Sequence, residues 1–148
     1  MQILEGWTAL QALQALQAST DLTQDLDGLG LPQVMERIGL PGVHPEGRFF
    51  PDTYRVVKRA RASTVLREAA RAMDERLKQA WAQRDADLPL TTPEQALILA
   101  SIVEKETGLD SDRRRIAGVF ANRLRIGMRL QTDPTVIYGL GERFDGNL

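Results

Sequence analysis

A helix-rich α+β fold is what this sequence predicts, on three observations. Several stretches repeat apolar residues at helical spacing, most of these open on a capping residue, and two short segments, near residues 47 to 57 and 130 to 138, carry the aromatic and β-branched side chains of strands. With 148 residues, 43% of them hydrophobic, the chain can bury a core and is sized for one domain, or one domain plus a small appendage.

The elements follow in order. After an apolar stub (Ile3, Leu4) and a Glu5-Gly6 turn, Thr8 is placed to cap a helix with Leu10, Ala12, Leu13, Ala15 and Leu16 inward. Its LQALQALQA period of three drifts around a helix, so it reads as a broad apolar strip. Thr20 to Leu26 and Pro32 to Ile38 read as short helices punctuated by Gly28, Gly30, Gly39 and Pro41-Gly42. The texture then changes to GRFFPDTYRVV, where Pro51 confines any strand to an edge or a break, so a boundary is expected between residues 41 and 46. Phe49 and Phe50 are expected in the core. Ser63 or Thr64 should cap a long helix carrying Leu66, Ala69, Ala70, Met73, Leu77 and Trp81, followed by a linker from Asp85 to Leu90. Thr92-Pro93-Glu94-Gln95 is a strong helix start, with the stop at Gly108. A further helix opens at Asp110 or Ser111, turns Ile116, Val119, Phe120 and Leu124 inward and ends near Gly127; Gln131 to Gly141 reads as strand and turn.

Composition narrows the chemistry. The 19 basic and 20 acidic side chains nearly cancel, leaving no global field to hold nucleic acid or an anionic membrane. Without cysteine and with the single His44, thiol nucleophiles and the usual zinc ligand sets are excluded, and chemistry free of metal and cofactor is expected. His44, between Gly42 and Pro45, reads as a turn residue. No apolar run approaches the roughly 18 residues of a membrane span, and the first residues lack the pattern of a signal peptide. The Arg113-Arg114-Arg115 run, beside Asp110 and Asp112, reads as a solvated ion-pair network, not a phosphate site.

The helix LILASIVEKETG, residues 97 to 108, is the most informative segment. At about 100° per residue, Glu106 falls on the stripe of Leu99, Ile102 and Val103, Lys105 points away, and Glu104 lies at the border. Two residues apart, Glu104 and Glu106 do not converge as an acid pair. A carboxyl at the end of an apolar face is partly desolvated, which keeps a proton available to a leaving group. The pattern alone leaves two uses for Glu106 open: a general acid, or an edge carboxylate paired with an arginine. In NRLRIGMRLQTDPTVIYG, residues 122 to 139, amides, hydroxyls and an aromatic sit on a Gly- and Pro-punctuated turn that suits a sugar or is an ordinary connection. In EGRFFPDTY, Glu46, Asp52 and Tyr54 either line a cleft or belong to a broken edge strand.

Read together, EGRFFPDTY, ILASIVEKETG, VFANRLRIGMRLQTDPTVIYGLG and GERFDGNL resemble, in order and spacing, the endolytic murein transglycosylases of the MltG (YceG-like) family, over nearly the whole chain. The opening ILEGWTALQAL is similar to that family's LysM-like subdomain. The resemblance implies a partial LysM-like subdomain over residues 1–45 and a transglycosylase catalytic domain over 46–148, C-terminally incomplete. It implies Glu106, the second acid of VEKET, as the catalytic residue. It further implies that Asn122, Gln131, Asp133 and Tyr138 shape a saccharide cleft, with Glu46, Tyr54 and Glu104 as weaker candidates. Partners implied are peptidoglycan glycan strands and the synthases that make them. Family members are held at the inner membrane by one N-terminal helix, with the catalytic part periplasmic; no such helix is legible here, so both ends are expected to be trimmed.

The implied reaction is cleavage between N-acetylmuramic acid and N-acetylglucosamine with a 1,6-anhydro product. Two rivals stay open: a non-catalytic peptidoglycan-binding module, and a hydrolytic muramidase using Asp133 or Glu46 to activate water.

Overall fold

Thr8 begins the first helix in the way its sequence requires. Its hydroxyl accepts from the Gln11 N–H at 3.2 Å while the Gln11 side chain accepts from the Thr8 N–H at 2.8 Å, a reciprocal capping box. The computed structural model describes residues 1–146, apart from the side chain of Glu142; the last two positions of the GERFDGNL motif lie outside the described residues. Six helices occur among these: α1 (Ala9–Gln17), α2 (Leu31–Arg37), α3 (Ala62–Ala82), α4 (Pro93–Glu106), α5 (Asp110–Arg125) and α6 (Asp133–Leu140), followed by a 3-10 turn over Gly141–Arg143. None of the described helices is long and apolar enough to cross a membrane.

The chain forms two compact units, Met1–Ala80 and Trp81–Leu148. In the first, Leu13, Leu16, Leu26, Val34, Met35, Val65 and Leu66 are fully buried in one core that also takes Phe49, Ala62 and Ala69. The change of texture at residues 41 to 46 thus falls inside this unit, with core residues drawn from both sides of it. Leu10, expected inward, is 49% exposed, because a three-residue repeat cannot stay on one helical face. Phe49 is buried as expected, whereas Phe50 is only half-buried and lies under the Arg76 guanidinium, 5.3 Å from the ring centre.

Three expected elements differ. The chain from Thr20 to Leu26 is not helical: the Thr23 N–H donates to Ala60 O (2.8 Å), its carbonyl accepts from Ala62 N–H (3.0 Å) and its hydroxyl donates to Arg59 O (2.8 Å). A helix would withdraw these groups from the segment that leads into α3. Residues 47 to 57 form no strand: Gly47 is a turn residue at φ 74°, Phe49 and Asp52 are bends, Thr53 makes a single antiparallel bridge with Gln2, and Pro51 has no N–H to continue a ladder. Residues 130 to 138 carry no strand either, since α6 begins at Asp133. No strand occurs among the described residues of that unit to pair with such a segment, whereas a helix satisfies its own backbone and accepts Pro134 in its first turn. The fold is helix-rich, and the strand component of the expected α+β class shrinks, among the described residues, to two isolated bridges, Gln2 with Thr53 and Thr23 with Arg61.

The start of α3 is held from outside. Asp25 accepts from both the N–H (3.0 Å) and the hydroxyl (2.5 Å) of Ser63, placing a negative charge at the helix N-terminus. Burial pushes the Asp25 carboxyl up, but these two donors, with Arg37 nearby, outweigh it and hold the group below the ordinary aspartate range. A carboxyl lowered in the folded state stabilises above its unfolded value and loses that contribution as the pH falls through its folded one. Asp25→Asn is therefore expected to lower stability by about 1 kcal/mol at neutral pH, with the gap to wild type closing below about pH 4, as read by urea unfolding at the two pH values.

Candidate active site

The second unit is organised around α4. Thr92 accepts from the Gln95 N–H at 3.2 Å, Pro93 occupies the first helical position where a missing N–H costs nothing, and Leu99, Ile102 and Val103 are buried against Phe120 of α5. Both α5 and α6 pack on this helix. The apolar stripe predicted for α4 is thus present, but Val119 of α5 is 44% exposed rather than inward.

Glu106 is the last residue of α4, and its side chain is exposed, against the expectation that it faces in. Helical angle fixes the direction of a side chain but not how far the core extends beneath it, and here the buried stripe ends at Val103, one turn earlier. The desolvation expected of the stripe therefore does not follow for Glu106. Glu104, two residues earlier on the helix, is half-buried and pairs with Arg113 at 3.3 Å, which also reaches Asp110 at 3.2 Å. The ion-pair network expected around the arginine run is present at Arg113, with Glu104 as an added member. Glu104 and Glu106 have different partners and do not form a dyad.

The partner of Glu106 comes from the connection between α5 and α6. Gly127 ends α5 at φ 70°, and the N–H groups of Gly127 and Met128 donate to Leu124 O (3.1 Å) and Arg123 O (2.8 Å), the double closure that a left-handed residue permits. Arg123 then donates to Leu130 O and lies 5.9 Å from the Phe120 ring centre, tying the turn to the core. Gln131 adopts φ 51°, a left-handed conformation that strains a residue with a Cβ. Beyond it Thr132, 6% exposed, donates its hydroxyl to Glu106 Oε1.

Thr132 stands in the N-cap position of α6, yet its hydroxyl makes no cap bond to that helix; only its carbonyl is used there, accepting from the Thr135 hydroxyl at 2.7 Å. No pattern in the sequence marks it, because Thr-Asp-Pro reads as turn chemistry wherever it occurs.

The other expected site residues divide by unit. Asn122, Gln131, Asp133 and Tyr138 all lie in the second unit, exposed, on α5, the turn and α6. Asn122 does not cap a helix; its Oδ1 accepts from Arg125 at 2.7 Å. Asp133 opens α6, where its charge suits the helix dipole, and Tyr138 is 60% exposed. Glu46 and Tyr54 lie in the first unit and serve its framework. Glu46 accepts from the Ala9 N–H at 3.0 Å, completing the start of α1, and the Tyr54 hydroxyl donates to Phe50 O at 2.6 Å. Burial, with the charges of Asp52 and Glu68, pushes the Tyr54 phenol up to about 12, so it remains a proton donor to that carbonyl. His44, expected in a turn, lies in the irregular stretch between the Pro41-Gly42 and Glu46-Gly47 turns, and its Nδ1 accepts from the Glu46 N–H at 3.3 Å.

The second unit is thus a small helical body with the Glu106 carboxylate at a helix end, held by a buried hydroxyl, and with exposed amide, carboxyl and phenol groups on α5, the turn and α6. That is an arrangement for single-carboxyl acid–base chemistry on a polar substrate. The chain belongs to the YceG-like family, whose sequence model matches residues 1–148. It is 36% identical over 98 residues to a protein of Streptococcus pneumoniae serotype 2 (strain D39 / NCTC 7466) named endolytic murein transglycosylase; the match covers 66% of this chain and 17% of that protein. A protein of Bacillus subtilis (strain 168) with the same name is 51% identical over 49 residues, covering 33% of this chain and 14% of its own length. The chain therefore spans only a small part of the curated relatives it matches.

The geometry of the turn has a direct test. A Cβ at Gly127 would meet nothing within 4 Å, so Gly127→Ala isolates the backbone effect of its positive φ. It is expected to cost about 1 kcal/mol in urea unfolding, with the slope of the transition unchanged.

Proposed function

We propose that this chain contributes the catalytic part of an endolytic peptidoglycan lytic transglycosylase, with Glu106 as its acid and base. The observation that carries the reading is the position of Glu106: exposed at the end of α4, within the VEKET string that the resemblance marks as catalytic, and oriented by Thr132. The names of the relatives support the substrate class. In this reading residues 46–148 form the catalytic domain, preceded by a LysM-like subdomain over 1–45. Asn122, Gln131, Asp133 and Tyr138 bind the glycan strand. The whole protein is held at the inner membrane with its catalytic part in the periplasm, near the synthases whose strands it shortens.

The chemistry needs one carboxyl group. Protonated Glu106 gives its proton to the glycosidic oxygen between N-acetylmuramic acid and N-acetylglucosamine as that bond breaks and positive charge develops at the muramoyl anomeric carbon. The resulting carboxylate takes the proton of the muramoyl 6-hydroxyl, whose oxygen closes on the anomeric carbon and leaves a 1,6-anhydro end. Because the nucleophile belongs to the substrate, no second carboxylate is required to activate water. Glu104, tied to Arg113, has no part in either transfer.

With uncross-linked glycan strands and the full-length protein, mass spectrometry is expected to find anhydro-muramoyl ends. Glu106→Gln should lower their rate of formation by at least about 100-fold, and Glu104→Gln should leave it within a few-fold. Reducing ends would identify a hydrolytic muramidase instead, and strands bound but uncut would identify a binding module.

A further inference from the structure

We propose that Thr132 is a positioning residue for the reaction, fixing Glu106 so that Oε1 is held by the threonine hydroxyl and Oε2 alone carries the proton to and from substrate. The inference rests on Glu106 being the catalytic acid. Three features of the structure support it. Thr132 is almost entirely buried, and a buried hydroxyl needs a partner; the one it has is the carboxylate, 26 residues away in sequence and on a different helix. As the N-cap of α6, its hydroxyl would ordinarily accept a backbone N–H of the first turn, and that bond is not made. The residue before it, Gln131, is held in a left-handed conformation in the connection that leads from the end of α5 to Thr132.

Glu106 stands at the C-terminal end of α4, where the helix dipole disfavours an anion, and on a long exposed side chain with several accessible rotamers. A single carboxyl that must act first as acid and then as base profits from one fixed orientation through both steps. A hydroxyl donor on Oε1 supplies it in either protonation state, since that oxygen remains an acceptor when the proton is on Oε2. The exposed Glu106 is thereby anchored through a buried group rather than by its own burial.

The test compares Thr132→Val, which keeps the shape and removes the hydroxyl, with Thr132→Ser, which keeps the hydroxyl and removes a methyl, in the full-length protein on uncross-linked glycan strands. Thr132→Val is expected to lower kcat by about 10- to 100-fold at nearly unchanged KM, while Thr132→Ser stays within about threefold of wild type. A packing role for Thr132 would reverse that order, and equal kcat for the two variants would likewise overturn the proposal. Should the valine protein fail to unfold cooperatively, Thr132→Ala takes its place in the comparison, and equal rates for alanine and serine overturn the proposal. Glu106→Gln in the same series separates the two ideas: cleavage surviving in that variant, or absent from wild type, removes the catalytic reading itself. Loss in Glu106→Gln with unaltered kcat in Thr132→Val removes only the role of Thr132.

Discussion

Burial of Leu99, Ile102 and Val103 against Phe120 is the constraint on which the candidate site depends. It sets the rotation of α4, and with it the direction of every polar side chain on that helix. Lys105 is exposed, Glu104 reaches the border where Arg113 meets it, and Glu106 extends from the final turn beyond the edge of the core. At about 100° per residue, a register shift of one position would carry Glu104 away from Arg113 and Glu106 away from Thr132.

The connection between α5 and α6 completes what α4 begins. Its conformation is dictated at both ends by backbone requirements: a glycine at positive φ closes α5, and Gln131 accepts a strained left-handed conformation just before α6. Between them, Arg123 holds Leu130 O from one turn back in α5. Strain kept in place by such anchoring is typical of segments whose shape matters more than their local stability. Here the shape carries a buried hydroxyl to a solvent-exposed carboxylate.

The first unit uses its polar residues differently. Glu46 closes the start of α1, Asp25 the start of α3, and the Tyr54 phenol binds a carbonyl four residues back. Each satisfies a backbone group left open by a helix end or an extended segment, the general fate of buried and half-buried polar groups in a small domain. The Glu46 carboxylate is therefore engaged with α1, and the Tyr54 hydroxyl with its own segment.

Much was legible in the residue pattern. The caps at Thr8 and Thr92, the stop of α5 at Gly127 and the buried stripe of α4 all follow from local chemistry, because each depends on neighbours three or four positions away. What failed depended on distant partners. The stretch from Thr20 to Leu26 is held open by residues 59 to 63, and TDPTVIYG becomes a helix because the described residues offer it no strand to pair with. The exposure of Glu106 was missed because a helical angle carries no depth. By itself the sequence determined the helices with clear ends, the face of α4 and the family resemblance carried by its motifs, all of them properties of contiguous or ordered residues. Only tertiary structure decided that Thr132 reaches Glu106, since a hydrogen bond across 26 residues is made by the packing of α6 on α4 and by a strained turn that no local pattern specifies.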